Sequence, residues 1–124
     1  MKPSGIELNV LGYPLEACSC EPMTGWHRDG SCRSDASDVG QHTICCVIND
    51  QFLTYSKAQG NDLSTPMPEF GFAGLNSGDR WCVCAARWRQ AYDDGVAPNV
   101  RLEATHIDAL NVVGIDILKE HCHP

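Results

Sequence analysis

A chain of 124 residues with 43% apolar side chains is long enough to bury a core of its own. One domain over residues 1–124 is expected, and cross-links are not needed for folding. A net charge of −7 excludes binding to nucleic acid or an anionic membrane through a basic footprint, and no run is apolar for the length of a transmembrane helix. A small-molecule partner stays open, and nothing here speaks to oligomeric state.

Met1-Lys2-Pro3-Ser4-Gly5 lacks the apolar stretch of a secretion signal, so a reducing cytoplasm is the expected location. Residues 6–11 alternate Ile6, Leu8 and Val10 with Glu7 and Asn9, the period of a half-buried strand. Residues 14–41, with Pro14, Pro22, Gly25, Gly30 and Gly40, read as a long irregular loop. Thr43 to Ile48 is apolar on both faces, as in a central strand. Asn49 or Asp50 can cap a helix over 51–59, closed by Gly60-Asn61.

A second loop, residues 61–78, leads to Asp79, a suitable N-cap for a helix over 80–94. The apolar stripe of that helix is Trp81, Cys84, Ala85, Trp88, Ala91 and Tyr92. After Pro98, Val100, Leu102 and Ala104 alternate with polar residues as in a strand. Thr105 then opens a short helix, with Asp108 as its partner in a weak capping box. A last helix covers 116–121. The expected fold is α+β: a small sheet of about three strands, three or four helices and two long ordered loops.

Several blocks of this sequence form a distinctive series. They include Asn9-Val10-Leu11-Gly12, Arg28-Asp29-Gly30, Gly60-Asn61-Asp62-Leu63-Ser64-Thr65-Pro66, Gly78-Asp79-Arg80-Trp81-Cys82, Cys84-Ala85-Ala86-Arg87-Trp88 and Leu102-Glu103-Ala104-Thr105-His106. In that order they closely resemble DUF2237, a family of small bacterial and plant proteins carrying a domain of unknown function. The resemblance runs from about residue 8 to 120. It implies a single-domain soluble protein and no established activity. It also implies that Cys18, Cys32, Cys45, Cys82 and Cys84 belong to the family pattern, whereas Cys20, Cys46 and Cys122 are particular to this chain.

Eight cysteines in a chain of this length invite three kinds of chemistry. Zinc wants four thiolate or imidazole ligands, usually delivered as C-x2-4-C pairs. The pairs here, Cys18-x-Cys20 and Cys82-x-Cys84, are one residue too tight. If Cys82 and Cys84 are helical they point about 200° apart, which disfavours zinc at that pair, and Cys84, on the stripe with Trp81 and Trp88, reads as a core residue. A set drawn from Cys18, Cys32, Cys45 and Cys82, with or without His42, would still suit zinc. A Cys18–Cys32 bridge fits the loop but not the expected compartment. Cys82, in the first turn of the expected helix, is the candidate reactive thiol, because a helix N-terminus favours the thiolate.

A polar set lies on loops and element ends: Arg28, Asp29, His42, Asn61, Asp62, Arg80, Arg87, Glu103 and His106. Arg80 and Arg87 could clamp a carboxylate or phosphate. Equally, Asp29, Asp62 and Glu103 could neutralise the arginines and merely pin the loops. The first functional expectation is a small-ligand pocket, catalytic or not, lined by His42, Arg80, Cys82, Glu103 and His106. The second is a non-enzymatic thiol or zinc module using Cys18, Cys32, Cys45 and Cys82. The third is an interaction protein whose thiols only fill its core.

Overall fold

A computed structural model describes residues 7–122. The centre is a three-stranded antiparallel sheet, with strands β1 (Ile44–Val47), β2 (Arg80–Val83) and β3 (Asn99–Val100) in the order β2-β1-β3. Three α-helices accompany it: α1 (Asp50–Ala58), α2 (Ala85–Asp93) and α3 (Ile115–Glu120). Short 3-10 turns cover Pro68–Phe70, Leu102–Ala104 and Ile107–Asn111. The α+β reading of the sequence therefore holds, with its two long loops. None of the helices in the described residues is long and apolar enough to cross a membrane.

Strand β1 is central, as its two-faced apolar run predicts, and its register with β2 sets Cys45 opposite Cys82 and Cys46 opposite Trp81. Side chains alternate along a strand, so the sheet has two unlike faces. Ile44, Cys46, Trp81, Val83 and Val100 face the main core with Phe52, Trp88 and Leu118. Cys45 and Cys82 face the other way, into a fully buried cluster with Cys18, Cys32 and Ala104. The 14–41 loop covers that second face.

Several sequence expectations fail, the first of them because long-range pairing overrides a local pattern. Arg80 to Val83 is a strand rather than the first turn of a helix. The apolar run of β1 needs a hydrogen-bonding neighbour, and Trp81 and Val83 suit a pleated surface. Asp79 does not cap α2; its carboxylate accepts from the Asn76 N–H at 2.8 Å, and Cys84 is the N-cap residue. The strand expected after Pro98 shrinks to Asn99–Val100, because the chain turns inward at Leu102–Ala104.

The strand expected at 6–11 is also absent. Ile6 lies outside the described residues, and Leu8 and Asn9 make only single bridges, to Pro14 and His106. Thr105 is no cap either: its hydroxyl donates to the Arg101 carbonyl and accepts from the buried Cys45 N–H. Asn49, in contrast, caps α1 as expected, accepting from the Phe52 N–H at 2.7 Å.

Candidate functional site

A cavity of about 200 Å³ opens beside β2, between the 14–41 and 61–78 loops. Trp26, Arg28, His42, Asn61, Phe72, Trp81 and Cys84 are among the residues that line it. Its walls are largely aromatic. Trp26 stacks on His42 with ring centroids 5.6 Å apart, and Phe72 packs on Trp81 at 5.4 Å. The guanidinium of Arg28 lies over the Trp81 ring, 5.0 Å from its centroid, an arrangement that holds a cation on an aromatic face. Arg28 also donates to the Gly25 carbonyl and has no carboxylate partner among the described residues.

The segment 38–42 supplies the other polar wall. Asp38 is buried, and its two oxygens accept from the His42 ring Nδ1 at 2.7 Å and the His42 backbone N–H at 2.8 Å. Ser34 donates to the same carboxylate at 3.0 Å. Burial pushes the Asp38 carboxyl up, but the hydrogen bonds and charge of His42 outweigh it and hold the group below its usual range. An ionised carboxylate only accepts, so His42 donates from Nδ1. No described residue is hydrogen-bonded to its Nε2, and the side chain is about one-third exposed.

Gly40 explains how tightly this wall is built. A Cβ there would lie 3.0 Å from His42 Cε1 and 3.5 Å from Cys84 Sγ, so the imidazole and the thiol both lie against Gly40 and leave less than a methyl group's room on the imidazole side. The Gln41 carbonyl accepts the Ala85 N–H, which ties this segment to the start of α2.

Of the five pocket residues expected from sequence, the structure brings His42 and Cys82 to this cavity. Arg80, Glu103 and His106 lie outside its lining. Arg80 is exposed on β2, and Glu103 pairs with Arg101 at 2.9 Å. His106 is buried, its Nδ1 accepting from the Asp108 N–H and its Nε2 paired with Glu7 at 2.9 Å. The suggested Arg80–Arg87 clamp is not formed: Arg87 sits on α2 and donates to the Gln59 carbonyl. Asp29 pairs with Arg33. Asp62 gathers the Ser64 and Thr65 hydroxyls and N–H groups, which keep its carboxyl well below the usual range. Arg28 and Asn61 came from the wider polar set, Trp26 and Phe72 had no functional signal in the sequence, and Cys84, expected in the core, is half-buried in the cavity wall.

The four candidate thiols do converge, as two disulfides. Cys18 joins Cys45 and Cys32 joins Cys82, with Cα separations of 5.7 and 5.3 Å inside the usual disulfide range. The Cys18, Cys32 and Cys82 sulfurs all lie within 4.8 Å of one another. This corrects two expectations. The suggested Cys18–Cys32 pair is not formed, since each sulfur is bonded to a strand cysteine instead. Cys82 is not a reactive helix-end thiol but a bridged residue on a buried strand. The cysteine at the start of α2 is Cys84, which is half-buried, unbridged and off the helix's buried stripe.

Residues 8–122 match the family described as "Uncharacterized protein conserved in bacteria (DUF2237)". The chain belongs to the DUF2237 family. Comparison with curated proteins gives no match. The DUF2237 match spans both sheet faces, the bridged sulfurs and the whole lining of the cavity.

Proposed function

We propose that this DUF2237 protein binds a small planar anion in the cavity between its two long loops. The observation that carries the reading is Arg28. It is an arginine without a carboxylate partner among the described residues of an acidic protein, laid on Trp81 at the edge of an aromatic-walled cavity. A guanidinium held this way keeps donors for a carboxylate or phosphate, while Trp26, Phe72 and Trp81 suit a flat ligand body.

Titration with benzoate, read by tryptophan fluorescence and calorimetry, tests the reading. Saturable binding is expected, weaker for uncharged benzamide and lost in Arg28→Gln. Equal binding of the two compounds, or none of either, would refute it.

A second reading, the non-enzymatic thiol or zinc module, draws on the convergence of Cys18, Cys32, Cys45 and Cys82 in one buried cluster. Bridged, these sulfurs staple the 14–41 loop to the sheet. Reduced, they are the all-thiolate donor set that zinc favours. Metal analysis of protein prepared without chelator under reducing conditions should then find about one zinc per chain. A metal-free protein that keeps its fold when reduced would rule the zinc form out.

A further inference from the structure

The α2 N-terminus, the Asp38–His42 pair and the cavity come together around one residue that neither reading above uses, Cys84. Cys84 is unbridged and half-buried, lines the cavity and is the N-cap residue of the nine-residue helix α2. Cys84 therefore sits at the positive end of the α2 dipole, and no side chain caps that end. His42 lies beside Cys84: one point, the place of a Cβ on Gly40, is 3.0 Å from the His42 Cε1 and 3.5 Å from the Cys84 sulfur. The imidazole Nδ1 is anchored by buried Asp38, and its Nε2 has no hydrogen-bond partner among the described residues. A nucleophile, a base and a group that orients the base are the parts of a cysteine acyl-transfer site.

We propose that Cys84 is a nucleophile, with His42 as its base and Asp38 as the positioning residue, acting on the acyl carbon of a small anionic ester or amide. The inference rests on the cavity reading, since Arg28 would hold the substrate's anionic end. In the first step the Cys84 proton passes to His42 Nε2 as sulfur forms a C–S bond with the acyl carbon. The C–O or C–N bond to the leaving group breaks, and that group departs with the proton from the imidazolium. Water, the second reactant, then adds to the thioester. His42 takes a proton from the water and returns it to the sulfur, and a carboxylic acid is released.

Two nitrophenyl esters, the neutral acetate and the anionic hydrogen succinate, provide the test. Cys20 and Cys122, both exposed, are first replaced by serine, with both disulfides kept. Nitrophenolate release with an acyl group mapped to Cys84 is expected, faster for the succinate ester. That preference should vanish in Arg28→Gln. His42→Gln, checked for fold by circular dichroism, should slow acylation about tenfold, since an unassisted thiol is only a few per cent thiolate near neutral pH. Gly40→Ala, which sets a methyl group against both side chains and crowds the imidazole, should slow it too.

No acyl-Cys84 from either ester, in a protein that still binds benzoate, would overturn the proposal and leave the binding reading intact. Acylation at Cys84 with no benzoate binding and no ester preference would uphold the nucleophile and overturn the anion site instead.

Discussion

Two histidines drew equal attention in the sequence, and the structure separates them by what their ring nitrogens do. Both nitrogens of His106 are engaged and the residue is 2% exposed, so it is a structural pin between Glu7 and the turn at Ile107–Asn111. His42 has one nitrogen anchored and one facing the cavity. Spacing along a chain does not report how many partners a ring finds, so the sequence alone does not tell the two apart. His106→Ala should lower stability by about 1–3 kcal/mol, the effect of leaving buried polar groups unpaired, without changing benzoate binding. Thermal melts and calorimetry on the same samples check both halves.

The Asp38 carboxyl has a pKa below its unfolded value of about 3.9. Its contribution is therefore full above about pH 4 and is lost as pH falls through the lower, folded value. In acid titrations followed by circular dichroism, Asp38→Asn should be less stable than the parent at pH 6 and show a smaller further loss between pH 4 and 2.

At the scale of elements, the central strand β1, helix α1 and the irregular character of both loops were legible, because each depends on local pattern and capping. Strand β2 was not. Trp81 lies four residues before Ala85 and seven before Trp88, so a strand residue completes a helical stripe by coincidence of spacing. Only the pairing with β1 reveals the strand, and pairing is a long-range fact. Read as a helix start, β2 puts Cys82 at a helix N-terminus, the place the structure gives to Cys84.

Backbone amides of Cys45, Cys46 and Cys82 should accordingly exchange slowly, and those of Ala86 and Arg87 in the open first turn of α2 quickly. Hydrogen exchange by NMR distinguishes this pattern from uniform helix protection. The loop is keyed to β2 by Thr24, whose buried hydroxyl accepts from the Cys82 N–H at 2.8 Å. Thr24→Val should cost about 1–3 kcal/mol by orphaning that donor. Gly25→Ala should be damaging as well, since its φ is +99° and a Cβ would stand 2.3 Å from the Ser31 carbonyl oxygen.

For the molecule as a whole, the bridges convert a loop that composition predicts to be irregular into a fixed cover for one sheet face. Their sequence separations are 27 and 50 residues, and the two spans overlap. Chain entropy alone assigns each about 3–4 kcal/mol, with overlap making the pair less than additive. Reduction should lower the melting temperature markedly, and a scan with and without a thiol reductant measures it.

The neighbouring cysteines of β1 carry a further consequence. Cys45 and Cys46 point to opposite faces, so a slip of one residue in β1 would offer Cys18 a sulfur of the same size from the wrong position. Once oxidised, that mistake would be locked in covalently. Air-oxidised refolding should therefore yield a scrambled isomer with the native mass and a Cys46-containing bridge, visible by peptide mapping. Cys46→Val, which keeps the apolar face filled, should remove the decoy and raise the recovery of correctly threaded protein.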